Sequence, residues 1–542
     1  MQNRSPNSIP DLAGAGQRPG WLGWGSPAGS SVRGPTDPLP RLRSILAVPL
    51  CFALLKLALQ ALAIANYGWF RDELYYFACS EHLAFGYVDH PPLSIALLWL
   101  ERALVGDSLI ALRVLPALCG AGTIVVTGML VARFGGGKFA QAIACLCLLL
   151  APVYLVIDHY FSMNSIDTFL WALAMLLAAR VLEDARARNW IALGVVIGLG
   201  LLNKASMLWF VGGFGLALLF DTRRRLLLSP WPWIAAALAL LMLVPHVLWQ
   251  VRNDWPTLEF MRNATQSKMV HTSFGAFWGQ QVLALGPASA PFWILGLFWL
   301  LVSRSWRVFG VLFLAVAALL VASGSSRPNY LTVAYAPLFA GAGIALERFT
   351  STRRAWLRPA ALAWLALLGL PIVPLGLPLL APQQLIAYQQ ALGVRPRAQE
   401  HTAEGPLPQH FADMFGWEEL AERVARVYAS LSAEERAKCG IYCSNYGEAA
   451  AIDRFGPALG LPQAICAHNN YWLWGTHGCT GEVLILVGGS ADDPHADFET
   501  VTLADRTQSE YAMPYENGAP IFLCRKLNMP LAERWPALRA YR

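Results

Sequence analysis

Long apolar runs separated by short polar junctions fill the first two thirds of the chain. Runs long enough to span begin near Ile45, Leu109, Phe139, Ile166, Trp190, Ala205, Trp231, Phe277, Val308, Leu331 and Ala360. A helix of about 20 apolar residues crosses the roughly 30 Å hydrocarbon core of a bilayer, so the pattern predicts about eleven transmembrane helices. After residue 380 the periodicity changes. Phe411 to Tyr428 reads as an amphipathic helix, and Gly440 to Ser444, Val483 to Val487 and Ile521 to Cys524 read as strands. The expected fold class is a polytopic α-helical membrane protein with a small C-terminal α/β soluble domain. Its divisions are a disordered cytoplasmic tail over 1–43, a membrane domain over 44–380 with a long first outer loop over 67–108, and an extracytoplasmic domain over 381–542.

The polar junctions fix a direction. With the N-terminus cytoplasmic, the inner junctions carry Arg133 and Lys138; Arg186 and Arg188; Arg223, Arg224 and Arg225; Arg304 and Arg307; and Arg348, Arg353, Arg354 and Arg358. All are basic, as the positive-inside rule requires, and an odd number of spans then delivers the tail to the outer face of the plasma membrane. The Gly-, Pro- and Ser-rich opening cannot build a core. No cleavable signal peptide is evident in it.

Composition agrees: 56% of the residues are hydrophobic and 14% charged, too apolar and charge-poor for an ordinary soluble enzyme. The net charge of +6 is scattered among the junctions, which argues for membrane orientation and against a nucleic-acid partner. Five of the ten cysteines, at 439, 443, 466, 479 and 524, lie in the tail. An outer compartment permits disulfides, with Cys466 and Cys479 a candidate pair and reduced, buried thiols the alternative.

Chemistry gathers on the outer side. The first outer loop contains YGWFRDELYYFACSEHLAFGYVDHPPL, with Arg71, Asp72 and Glu73 at its centre. Charges near a bilayer are retained where they pair, line a wet cavity or act in chemistry. An Arg71–Asp72 ion pair in a solvated loop is the plain reading; Tyr67, Trp69, Phe70, Tyr75 and Tyr76 around it make a floor for a sugar or headgroup. His90, followed by two prolines, marks the entry of an interfacial helix running to about Leu104 and is either its cap or a site residue, as is Asp89. Asp158, His159, Asn164 and Asp167 lie in the second outer junction, where Asp167 caps a helix or faces a polar cavity. Lys204, Arg252, Arg262, Lys268, His271 and Arg327 sit outside against the positive-inside trend; they either snorkel to headgroups or bind an anionic phosphate.

The acidic RDELYY, the closing GYVDHPPL, RVLPALCG, MNSIDTFLWAL, the turn holding Lys204 and the late NYLTVAYAPL together resemble the GT-C membrane glycosyltransferases. The resemblance is to the dolichyl-phosphate-mannose protein mannosyltransferase and aminoarabinose transferase superfamily, the bacterial branch of glycosyltransferase family 39, and covers most of residues 45–350. The tail segments FADMFGWEELAERVA, NYGEAAAIDRFG and HNNYWLWG look like a domain appended in some bacterial members. The resemblance implies a polyprenyl-phosphate sugar donor, a lipid, glycan or protein acceptor, and inverting transfer outside the cytoplasm. It carries over Asp72 as the general base, Glu73 as holding the acceptor or shaping the site, and Asp167 as orienting sugar or acceptor. Arg71, Tyr75, Tyr76, Tyr87, His90, Asp158, His159 and Tyr330 are carried over as substrate-binding. Lys204, Arg327 and Arg113 are the candidate cations for the departing phosphate. No cofactor is demanded; a divalent metal would enter only where Glu73 and a His approach one another, and no compact ligand motif compels one.

A polytopic transporter or lipid flippase is the rival class, since many spans and retained charges are equally its hallmarks. It predicts repeat symmetry and charges near the midplane. No internal repeat is evident, and the charges gather at one face.

Overall fold

The apolar runs become helices because in a low-dielectric solvent each backbone N–H and C=O must be satisfied within its own segment. The computed structural model describes residues 38–267, 271–324, 327–352, 354–394, 403, 405–489 and 495–542. Of the expected disordered tail over 1–43, residues 1–37 lie outside the described residues, as do Lys268 and Arg353, while Pro38 to Arg43 are helical. The chain divides after Ser44 into two units, the first contributing the opening turns of α1 (Pro38–Ala63).

The predicted first loop is itself helical: α2 (Arg71–Glu81) and α3 (Leu93–Val105), the latter starting directly after His90-Pro91-Pro92 as expected. A short α4 (Leu109–Leu112) leads into α5 (Val114–Arg133), α6 (Lys138–Leu150), α7 (Pro152–Ile157), α8 (Met163–Glu183), α9 (Ala187–Asn203), α10 (Met207–Leu219) and α11 (Pro230–Arg252). Then come α12 (Pro256–Ser267), α13 (Phe274–Leu285), α14 (Ala290–Val302), α15 (Arg307–Ser323), α16 (Ala336–Phe349), α17 (Leu357–Gly369) and α18 (Val373–Gly376).

Every apolar run is thus helical, but among the described residues fewer than eleven helices are long and apolar enough by themselves to cross, so the expected count of eleven is not established. Five segments, Ser44–Ala63, Leu109–Arg133, Met163–Glu183, Pro230–Arg252 and Leu357–Gly376, are long and apolar enough to cross. Phe274–Leu285 and Pro287–Val302 make a sixth, bent by 100° where Gly286 adopts φ +82 ahead of Pro287. Lys138–Leu150, Ala187–Asn203, Met207–Leu219 and Arg307–Ser323 are apolar but shorter. At about 1.5 Å per residue these cover roughly 20–26 Å, short of the hydrocarbon thickness. The run expected near Leu331 is delayed, because Pro328 opens a 3-10 turn and α16 begins only at Ala336.

Beyond α19 (Pro382–Ala391) the tail builds its own layer. The amphipathic helix expected from Phe411 breaks into α20 (Gln409–Ala412) and α21 (Trp417–Ala429), because Gly416 takes φ +93 between them. After α22 (Ala433–Lys438) come β1 (Cys439–Cys443), α23 (Tyr446–Phe455), β2 (Ala464–Cys466), α24 (Asn470–Trp474), β3 (Val483–Val487), β4 (Phe498–Arg506), β5 (Pro520–Leu527) and α25 (Leu531–Arg534). The sheet order is β2-β1-β3-β5-β4. β1 pairs parallel to β2 and β3, and β5 antiparallel to β3 and β4. The pattern missed β2, which has three residues, and β4, an edge strand that shows most of its length to solvent.

All ten cysteines are thiols. Cys466 stands in register with Cys443 on neighbouring parallel strands, while Cys479 packs against Gly440, so the candidate Cys466–Cys479 bridge is not formed.

Candidate active site

A cavity of about 390 Å³ opens where α2, the start of α8, the end of α9, α12, the 3-10 turn at Pro328–Ala334 and the C-terminal domain converge. Its wall includes Arg71, Asp72, Tyr75, Tyr76, Asp89, His90, Asp167, Lys204, Arg327 and Tyr330. With Phe70 and Asn164, twelve of the residues singled out in the sequence border one space.

Each is placed by local chain logic. Asp72 and Glu73 fall in the first turn of α2, where carboxylates favour the unsatisfied N–H groups and positive end of the helix. The two then part, because adjacent helical side chains point about 100° apart. Asp72 turns to the cavity with its side chain 35% exposed. Its Oδ1 accepts from the Tyr446 hydroxyl at 3.0 Å and lies 3.6 Å from Arg71 Nε.

Glu73 turns inward. Its oxygens accept from Arg113 Nε and Nη2, both at 3.0 Å, and from the backbone N–H groups of Phe70 and Phe161, both at 2.9 Å. Arg113 also donates to the carbonyls of Ile64 at 3.0 Å and Gly68 at 2.8 Å. Neither side chain is exposed at all. Neither residue lines the cavity: the pair is an internal clasp joining the end of α1, the start of α2, α5 and the chain before α8, a placement that suits the site-shaping alternative for Glu73.

Three other expectations move behind the cavity for the same reason. Asp158 pairs with Lys56 at 2.8 Å in the interior. His159 lies between Arg113 and Gln60. Tyr87 donates to the carbonyls of His82 and Cys79, tying the α2–α3 connection together. These side chains are 4% exposed or less, and none of the three lines the cavity.

On the remaining wall, both oxygens of Asp167 lie 2.7 Å from Ser206 Oγ, which donates its one proton to the carboxylate, and Asp167 lies 3.7 Å from Lys204 Nζ. With only 1% of its side chain exposed, Asp167 acts first as the counter-ion that holds Lys204 in place. Lys204, the C-cap of α9, also donates to Asn164 Oδ1 at 2.8 Å and stands 5.1 Å over the Tyr330 ring. Arg327 joins it at the head of the 3-10 turn, giving one wall two cations. His90 stacks on Tyr76 with centroids 4.7 Å apart, and its Nε2 is buried without a hydrogen bond, 3.8 Å from Asp89 Oδ1. Tyr75 donates to that same Asp89 oxygen at 3.0 Å. Burial holds the Asp89 carboxyl above the usual carboxylate range.

The sequence reading missed the part of the site that comes from the tail. Asp413 lies 3.7 Å from Arg71 Nη2, and its carbonyl accepts the Arg71 N–H at 2.9 Å. His410 lines the cavity, and burial lowers its pKa to about 4, so it is neutral at physiological pH. Tyr446 reaches Asp72 directly. The motifs holding them, FADMFGW and NYGEAAA, are visible in the chain, but no spacing rule links them to residues more than 300 positions away. Among the described residues no group of three or more His, Cys, Asp or Glu is arranged to hold a metal ion.

Residues 89–249 match the family model for dolichyl-phosphate-mannose-protein mannosyltransferases. A lipid A galacturonosyltransferase, RgtD from Rhizobium johnstonii, is 26% identical over 220 residues, which cover 40% of this chain and 45% of that protein. The match thus spans less than half the length of that relative. The structures of ArnT from Cupriavidus metallidurans, one bound to undecaprenyl phosphate and one in the apo state, superpose with TM-score 0.55 at 16% identity. They cover 90% of this chain and 98% of theirs, so the fold, helices and C-terminal domain together, is like that of ArnT.

Proposed function

We propose that this chain is an integral membrane glycosyltransferase that moves a sugar from a polyprenyl-phosphate donor to a hydroxyl acceptor at the extracytoplasmic face of the plasma membrane. The observation that carries this reading is the cavity itself, which unites the most open carboxylate of the site, Asp72, with the cations Lys204 and Arg327. The basic junctions of the sequence support the orientation, with the C-terminal domain outside. The family match and the ArnT-like fold support the donor class.

The chemistry is a single displacement. Asp72 accepts the proton of the acceptor hydroxyl as its oxygen attacks the anomeric carbon. The bond from that carbon to the phosphate oxygen breaks, and the lipid phosphate leaves with the electron pair, inverting the anomeric centre. Lys204 and Arg327 stabilise the charge that grows on the phosphate. Tyr75 and Tyr76 give the cavity wall an aromatic surface for a sugar.

The test is transfer in proteoliposomes, using undecaprenyl phosphate carrying labelled mannose or galacturonic acid, with lipid A as acceptor. Asp72→Asn is expected to lose at least about a hundredfold in kcat. A folded Asp72→Asn protein at full rate removes Asp72 as the base. Donor lipid that crosses the bilayer with its sugar bond intact would instead indicate a flippase.

A further inference from the structure

The C-terminal domain does more than border the cavity. At the end of β1 the chain turns through Ser444, whose hydroxyl donates to the Val487 carbonyl at 2.8 Å, and Asn445 then caps α23. The cap is doubly made. Asn445 Oδ1 accepts from the N–H groups of Gly447 and Glu448, and the Glu448 carboxylate accepts in return from the N–H of Asn445 at 3.2 Å. Asn445 Nδ2 also donates to Glu516 Oε1 at 3.1 Å. Tyr446, the first residue of α23, is therefore held at a fixed point of a rigid helix start.

That helix start meets the start of α2. Gly447 lies against Arg71: a Cβ at 447 would come within 2.7 Å of Arg71 Cγ. The Tyr446 ring packs tilted against Tyr75, centroids 4.5 Å apart, and lies 5.7 Å from the Arg71 guanidinium carbon. Its hydroxyl ends 3.0 Å from Asp72 Oδ1. Arg71 Nε is nearest to the same oxygen, and among the described residues no hydrogen bond falls on Asp72 Oδ2.

The geometry points to Tyr446 as the positioning residue of Asp72: its hydroxyl holds Oδ1 and so presents Oδ2 to the acceptor hydroxyl. This rests on Asp72 being the base. The proton moves from the acceptor hydroxyl to Oδ2 while Tyr446 keeps its own, and the acceptor oxygen forms the new bond to the anomeric carbon as the bond to phosphate breaks. A carboxylate free to rotate offers its oxygens in many directions; one pinned at Oδ1 offers one direction, and small losses of alignment cost rate steeply. The C-terminal domain thereby becomes an integral part of the active site, supplied from 374 positions away along the chain.

The experiment uses the full chain and the donors named above, whichever of the two the wild type turns over. Tyr446→Phe keeps the ring and removes the hydroxyl. Its kcat is expected to fall at least about tenfold, with donor KM within about twofold and an unchanged melting temperature, since a hydrogen bond to a charged group is lost only from the alignment of the base. Full kcat in Tyr446→Phe beside an inactive Asp72→Asn overturns the positioning role and leaves Asp72 as the base. An active Asp72→Asn overturns the base assignment itself. A raised KM with unchanged kcat makes Tyr446 a binding contact and overturns positioning. A substrate-free arm places 3-fluorotyrosine at position 446: its fluorine resonance is expected to move in the Asp72→Asn background, and an unmoved resonance overturns the contact.

Discussion

Glu73→Gln separates structural from chemical roles for the two adjacent carboxylates of α2. In the wild type the Glu73 carboxylate accepts two bonds from Arg113 and two from backbone N–H groups, and neither side chain of the pair is exposed. The substitution is nearly isosteric, but it leaves the Arg113 guanidinium buried without its counter-charge and turns an amide NH₂ toward donors. Removing one partner of a buried ion pair costs about 3–5 kcal/mol. For a cooperative unit of this length, with unfolding entropy of about 2 cal/mol/K per residue, that lowers the melting temperature by roughly 3–5 °C. The assay is thermal unfolding of detergent-purified protein, read beside kcat per folded molecule. The expected variant is less stable, with kcat reduced no more than about threefold at a temperature where it is folded. A variant of wild-type stability that has lost a hundredfold in kcat would refute the clasp and return Glu73 to the chemistry.

Lys204→Gln and Arg327→Gln are each expected to weaken binding of undecaprenyl phosphate about tenfold, measured by titration in detergent. Lys204→Gln also lowers the melting temperature, because Asp167 loses its counter-ion; wild-type stability in that variant would contradict the pairing. Gly447→Ala forces the Arg71 side chain or the start of α23 to shift and is expected to cost about tenfold in transfer rate, so a fully active variant would show that this close approach is dispensable. Asp453, which accepts from the Ala464 N–H and the Tyr471 hydroxyl, is pushed up to about 6 by burial. The folded chain then holds this proton more tightly than the unfolded one, so wild-type stability is expected to fall as pH rises from about 4 through about 6. Asp453→Asn removes that dependence: its stability relative to wild type should rise over the same window by up to about 3 kcal/mol, and a pH-independent difference would refute it.

What the sequence by itself determined was written in local pattern. The apolar runs became helices; the prolines after His90 put α3 where they predict a helix start; Val483 to Val487 is a strand with those ends. Spacing along single elements also marked Asp72, Asp167, Lys204 and Arg327 as charges too close to apolar runs to be idle, and they share one cavity. The tertiary structure decided what each charge faces. A helix turns by about 100° per residue, so Asp72 and Glu73, neighbours in sequence, separate into a cavity residue and a buried clasp. Which of the two goes inward depends on where Arg113, forty positions on, has been placed. Likewise Arg113, Asp158 and His159 read as cations or ligands in a linear chain and are interior partners once α1, α5 and α7 pack. Tyr446 and Asp413 carry no local sign of their role. They reach the site only because the C-terminal domain folds back onto α2, and a contact across some 370 residues is a property of the packed chain, which no window along the sequence contains.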